Sequence, residues 1–109
     1  MGRMFEQIIE INARAAAEGD YEAAYHLLMA ALHCADRARD RQAIERLTKL
    51  ARDQGAEVEA IDPPHHLSRK HAEARGQTAV YESLLTHIDA VRLRLESARQ
   101  LEKHRPRAG

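Results

Sequence analysis

Apolar residues recur at steps of three and four positions along most of the chain, a spacing that places side chains on one face of an α-helix. The clearest run covers residues 20–35. One stripe in this run consists of Tyr21, Ala24, Leu28, Ala31, Leu32 and Ala35. A second stripe consists of Leu27, Ala30 and Cys34, with Ala23 and Met29 beside it. A helix that is apolar on nearly all sides needs several neighbours, so we expect this one at the centre of the fold.

A first helix is predicted over residues 4–18. Its inner face is Phe5, Ile8, Ile11 or Asn12, and Ala15, with Ile9 and Ala16 on the flanks. Gly19 supplies the left-handed residue that commonly ends a helix, and Asp20 is a suitable N-cap for the next helix. So short a connection folds the two helices back on each other as an antiparallel hairpin.

A third helix is predicted after a polar stretch over residues 36–40, which we interpret as a loop or a frayed helix end. Asp40 is its expected N-cap and Gly55 its expected end. Its predicted apolar face is Ala43, Ile44, Leu47, Leu50 and Ala51. A further apolar piece of one or two turns contains Val58, Ala60 and Ile61. Asp62, Pro63 and Pro64 then stop it, because proline lacks a donor and restricts the residue before it.

The longest pattern belongs to a last helix, predicted over residues 68–104 and followed by a disordered tail at 105–109. Such a helix is about 55 Å long, against roughly 22 Å for each earlier one, so its companions cannot cover its heptad-like stripe. We therefore expect a homodimer through the last helix. The expected interface residues are Leu84, Ile88, Val91 and Leu95. The alternative is a break near Gly76 or Gln77 that gives two shorter helices within a monomer.

Composition narrows the fold class. The chain has 109 residues, 4% aromatic residues and no Trp, while helix-forming residues abound. We predict an all-α protein of antiparallel helical hairpins followed by a long C-terminal helix, in a single domain over residues 1–104. No apolar run approaches the ~20 residues that cross a bilayer, and residues 1–7 lack the apolar core of a secretory signal. We expect a cytoplasmic protein.

Charge bears on the choice of partner. The formal net charge is zero. Residues 1–36 carry two basic and six acidic side chains, whereas residues 37–56 carry six basic and three acidic ones. Interleaved signs are typical of a solvated, ion-paired face, and a nucleic-acid-binding domain is usually strongly basic. We do not expect nucleic acid as the partner, although Arg37, Arg39 and Arg41 could attract an acidic one.

Candidate chemistry is weak in this sequence. Metal ligands on one helix turn are usually three or four residues apart, whereas His26 and His33 are seven apart. Cys34 and its neighbour His33 point about 100° apart on a helix, which disfavours a nucleophile–base pair. We predict no enzyme, no metal and no cofactor. The alternative left open is a metal- or cofactor-binding helical bundle that uses the histidines. These are His26, His33, His65, His66, His71, His87 and His104.

The turn at Gly19-Asp20-Tyr21, followed by Ala24, Leu28, Ala31 and Leu32, resembles the turn and second helix of a tetratricopeptide repeat. An internal echo supports the resemblance, at an offset of 36 residues, close to the ~34-residue period of these repeats. In this echo Ile8, Ile11, Ala15 and Gly19 recur as Ile44, Leu47, Ala51 and Gly55. The resemblance covers one repeat and part of a second, and it implies protein or peptide binding in a groove formed by the first helices.

The leading functional hypothesis is therefore a non-catalytic, tetratricopeptide-like interaction scaffold that binds a protein or peptide and self-associates. The residues expected to contact the partner line the first-helix groove: Asn12, Arg46 and Lys49. Binding of nucleic acid or an acidic partner through residues 37–52 is a third hypothesis.

Overall fold

The computed structural model describes residues 2–60 and 69–104. Its elements are α1 (Arg3–Ala17), α2 (Tyr21–Ala38), α3 (Arg41–Ala60) and α4 (Arg69–His104). These described ranges contain helices and no strand, which confirms the predicted all-α class. The predicted stop at Pro63 and Pro64 and the predicted tail at 105–109 lie outside the described residues.

The helices form two antiparallel hairpins, α1–α2 and α3–α4, and α2 is the helix that packs against all three others. Its predicted inner stripe is confirmed, because its buried residues are Tyr21, Ala24, Leu28, Ala31, Leu32 and Ala35. Alanine at half of these positions lets neighbouring backbones approach closely. The second stripe of α2 is covered less completely than expected, since Leu27 and Cys34 are half-buried and Ala30 is exposed.

Turn chemistry at the two connections explains the hairpins. Gly19 has φ +79°, a conformation that glycine adopts without steric cost. The carboxylates of Asp20 and Asp40 each accept a hydrogen bond from the backbone N–H three residues on, at 3.1 Å, so both predicted N-caps are confirmed. Of residues 36–40, predicted as a loop or frayed helix end, the first three belong to α2, which ends at Ala38 with Arg39 at φ +53° as its C-cap.

The rotation of α1 differs from the prediction. Phe5, Ile9 and Asn12 are its buried residues, whereas Ile11 is 44% exposed and Ile8 and Ala15 are half-buried. Residues 11 and 12 point about 100° apart, so a helix that buries one of them turns the other away. The structure buries the polar residue of the pair.

The predicted end of α3 at Gly55 is also wrong, since α3 continues to Ala60 and includes the buried Val58. Gly55 instead lies inside α3, at a position that faces α4. A Cβ atom added there would lie 3.4 Å from Cβ of Tyr81 on α4. Glycine therefore marks a contact between α3 and α4 and not a helix terminus.

α4 is one continuous helix of 36 residues through Gly76, which confirms the predicted long helix and excludes the alternative of a break near Gly76 or Gln77. The premise of the C-terminal dimer interface is wrong, however. Leu84, Ile88, Val91 and Leu95 are each at most 9% exposed within the single chain. The longer α3, about 30 Å at 1.5 Å per residue, reaches far enough to cover this stripe, and α2 packs against it as well.

Substitution by alanine should change the free energy of unfolding in opposite directions at Gly19 and at Gly55. Gly55→Ala should raise the free energy of unfolding by up to about 1 kcal/mol, because alanine has the higher helix propensity and its methyl group meets Tyr81 at an ordinary contact distance. Gly19→Ala should lower it by about 1 kcal/mol, because alanine is strained at positive φ. Urea denaturation of both variants checks the two signs. A destabilised Gly55→Ala protein would contradict the tight but unstrained contact with Tyr81.

Candidate functional site

The structure does not bring the three predicted groove residues together. Asn12 is fully buried, so its predicted role in partner contact is wrong. Arg46 and Lys49 are exposed on α3. Arg46 donates a hydrogen bond of 2.7 Å to Glu6 on α1 and its guanidinium lies 5.7 Å from the ring centre of Phe5. Its charge therefore joins α1 to α3, and the Glu6 partner raises the pKa of Arg46 further above its ordinary value.

The buried position of Asn12 is explained by a reciprocal amide pair with Gln54 of α3. The side-chain nitrogen of Gln54 donates to Oδ1 of Asn12 at 2.6 Å, and Nδ2 of Asn12 donates to Oε1 of Gln54 at 3.2 Å. The same Nδ2 donates to the carbonyl oxygen of Ala24 in α2 at 2.7 Å. One amide pair thus connects three helices.

Tyr81 connects α4 to the same group. Its hydroxyl lies 2.9 Å from Oε1 of Gln54 and 3.3 Å from the carbonyl oxygen of Tyr21, both acceptors. Burial is the main cause that raises the pKa of Tyr81 well above its ordinary value. The hydroxyl of Tyr21 donates to Glu57 at 3.0 Å, and burial followed by this carboxylate raises the pKa of Tyr21 as well.

We call Asn12, Gln54 and Tyr81 the amide cluster. Among the described residues, no buried side-chain nitrogen or oxygen lacks a hydrogen-bond partner. A buried hydrogen-bonded network of this kind rigidifies a core, so its physical role here is to fix helix positions. The sequence contained a signal for it, because Asn12 continues the i, i+4, i+7 spacing of Phe5 and Ile9, and Gln54 continues that of Leu47 and Ala51.

An open apolar face runs along the α1–α2 hairpin. On α1 and on α2 it follows the same i, i+4, i+7, i+11 spacing, which keeps residues on one side of a helix. Its α1 stripe is Met4, Ile8, Ile11 and Ala15, and its α2 stripe is Ala23, Leu27, Ala30 and Cys34. Met4 is 65% exposed and Ile11 44%. The α1 stripe points away from α3. We name the α1 and α2 stripes together the hairpin face.

A cleft of about 690 Å³ opens between α2 and α4 on another side. All three tyrosines of the chain line it, together with Val80 and His26. The ring of Tyr25 packs edge-on against those of His26 and Tyr81, at centroid distances of 5.1 and 6.3 Å. Since the Tyr81 hydroxyl is already bonded within the amide cluster, the cleft presents mainly ring surface.

Arginines gather at the end of the molecule where α2 ends and α3 begins. Two adjoining concavities, of about 330 and 190 Å³, share Arg39, Leu95 and Ala98 among their lining residues. The arginines around them come from α2, the α2–α3 turn, α3 and α4. They are Arg37, Arg39, Arg41, Arg94 and Arg99. We name these five residues the arginine end.

The structure also bears on the hypothesis of a metal site and on the expectation that no helix crosses a membrane. The part of the chain that the structure describes contains no group of three or more His, Cys, Asp or Glu side chains placed to hold a metal ion. His65 and His66, which the metal hypothesis invoked, lie outside the described residues. No helix within the described ranges combines the length and apolar character needed to cross a bilayer.

Comparison with family models, with curated proteins and with solved structures gives no match for this chain.

The amide cluster predicts non-additive energetics. Asn12→Leu or Gln54→Leu alone should lower the free energy of unfolding by about 2–3 kcal/mol, since each leaves a buried amide without its partner. The double variant removes both polar groups, so it should cost less than the two single changes added together. A double-mutant cycle by chemical denaturation measures this coupling, and strict additivity would show that the two amides do not act as a pair.

Alkaline pH should destabilise the fold through Tyr81. A folded-state pKa above the unfolded value of about 10 means that stability is fully present below that pH. It is lost as pH rises further, because the unfolded chain then releases the proton more readily. The decline above pH ~10 should be shallower in Tyr81→Phe, measured as the denaturation midpoint against pH. Identical slopes in the two proteins would remove Tyr81 as the cause.

Proposed function

We propose that this chain is a non-catalytic protein-interaction scaffold built from two stacked helical hairpins of tetratricopeptide-like type, and that it self-associates through the hairpin face. The surface expected from the sequence, the apolar stripe of α4, is covered within the chain. We place the contact on the hairpin face instead, because this face is apolar, extends over two helices and is partly exposed, most strongly at Met4, Ile11 and Ala30.

The observation that carries the proposal is the different environment of equivalent residues in α1 and α3. Ile44, Leu47 and Ala51 of α3 are at most 1% exposed, and α3 packs against the preceding hairpin through α2. Their counterparts 36 positions earlier are Ile8, Ile11 and Ala15. In α1 there is no preceding hairpin among the described residues, so the same pattern of side chains faces outward. The stripe on α1 is suited to receive a helix.

The opposite side of the stack is closed. Most exposed residues of α4 are charged, polar or small, for example Glu82, Ser83, Thr86, Ala90 and Ser97. Its exposed large apolar residues among those described are Val80, Leu93 and Leu101. A stack of helical hairpins needs a polar outer surface at each end to remain soluble alone. This chain has such a surface at α4 and lacks it at α1, which favours a contact that pairs the two open ends.

A second copy of the chain fits the hairpin face. Large side chains lie on the α1 stripe, mainly Met4, Ile8 and Ile11, whereas the α2 stripe is mostly small. A two-fold axis parallel to the helices sets α1 of one chain against α2 of the other, so that large meets small in both halves of the interface. The face is about 22 Å long and 20 Å wide, so two copies cover roughly 900 Å². This area is below the roughly 1,200 Å² at which stable, specific interfaces begin and falls among weak, transient ones. A weak, micromolar dimer is expected.

Light scattering after size exclusion tests this proposal. The mass should rise toward that of two chains as concentration increases to about 100 µM, and Ile11→Glu should keep the chain monomeric, because it would desolvate a charge in the contact. Leu93→Glu is the matched control, since Leu93 is a 66% exposed apolar residue on the polar outer side of α4. A mass that stays at one chain throughout, or equal effects of both substitutions, would refute self-association through the hairpin face.

A further inference from the structure

We propose that the arginine end is a docking site for an acidic peptide segment of a partner protein, with carboxylates on either side of one apolar side chain. This inference rests on the proposed function, because it names the kind of protein segment that the scaffold binds. It uses a surface separate from the hairpin face.

The lining of the site carries more positive than negative charge. Five arginines face two acids, Asp36 and Glu102, around the two concavities. Asp36 lies 2.5 Å from Arg94 and pairs with it, and Arg41 pairs with Glu96. For Arg37, Arg39 and Arg99, no ion pair occurs within the described residues. These three guanidinium groups remain available to bind an anion from outside.

The floor of the site is apolar. Leu95 and Ala98 lie beneath both concavities, which gives space for one aliphatic side chain between the arginines. Guanidinium groups bind carboxylates through two parallel hydrogen bonds. Carboxylates on either side of one apolar anchor therefore match both the walls and the floor.

The observations favour a peptide over nucleic acid. Acidic side chains lie among the arginines, and the chain has no net charge, whereas phosphate backbones are usually bound by a surplus of basic residues along a groove. Residues 37–52, proposed from the sequence as one basic surface, are divided by the fold. Arg46 pairs with Glu6 on the α1 side. The first three arginines of this range, Arg37, Arg39 and Arg41, lie instead with Arg94 and Arg99 of α4.

Arg39 allows a specific test of the site, because its backbone conformation favours glycine whereas its side chain supplies one of the guanidinium groups. Its φ of +53° is a left-handed conformation that favours glycine. Arg39→Gly therefore removes one guanidinium while the fold is retained, with a Tm that stays the same or rises. Arg99→Gln is a second variant at an exposed helical position, and Arg52→Gln, on an exposed part of α3 outside the arginine end, is the control of equal charge change.

The experiment measures fluorescence anisotropy of a labelled peptide of glutamates around a central leucine, with full-length protein. The expected result is binding that weakens from about 50 to about 300 mM NaCl. Affinity should fall about fivefold in Arg39→Gly and in Arg99→Gln, with no change in Arg52→Gln. A peptide with serine in place of leucine should bind less tightly, because it does not fill the apolar floor.

Several results would overturn the proposal. These are absence of binding, an equal loss in the Arg52→Gln control, or tighter binding of a single-stranded oligonucleotide than of the peptide. The light-scattering test of self-association uses other residues, so a failed docking site leaves the dimer result intact, and a monomeric protein that binds the peptide leaves the docking site intact.

Discussion

The burial of Asn12 is the constraint on which the rest of the structure depends. Its amide can enter the interior because Gln54, Ala24 and, through Gln54, Tyr81 satisfy hydrogen bonds that would otherwise be lost with water. Unsatisfied, a buried amide costs on the order of 1–3 kcal/mol. Satisfied, it sets the rotation of α1 about its own axis. That rotation turns Ile11 outward, so the polar contact inside the chain creates the apolar surface outside it.

The amide cluster also fixes the register between the hairpins. Gln54 and Gly55 are adjacent on α3, and both contact Tyr81. α4 packs against α3 at this level, and the tyrosine hydroxyl defines where along α3 the contact occurs. Four turns further along α4, the same register brings Glu96 to Arg41 and Arg94 to Asp36. The arginine end is therefore assembled by a contact about 20 Å away.

Sequence reasoning predicted the elements because helical periodicity is a local property. The stripe of α2, both aspartate N-caps and the length of α4 follow from spacing and capping within single segments. It failed where the answer depended on a partner helix. Gly55 looked like a terminus, as Gly19 is, because propensity cannot distinguish a turn from a close contact with Tyr81. Asn12 looked like a groove residue, because its amide partner is 42 positions away. The five arginines come from separate elements, so no segment contains the site.

These errors share one physical cause, which is that contacts between helices are not visible in single segments. The same cause bears on how the hairpin face and the arginine end work together. The sequence predicted an apolar surface that the chain cannot cover and placed it on the last helix. Because α3 is long enough to cover that helix, the uncovered apolar surface is the hairpin face instead. If two chains meet there, each dimer presents two arginine ends at a fixed separation. A partner with two acidic segments would then bind the second site at a raised effective concentration. Weak dimerisation and weak peptide binding would reinforce each other, because a bivalent partner stabilises the dimer by the free energy of its second contact.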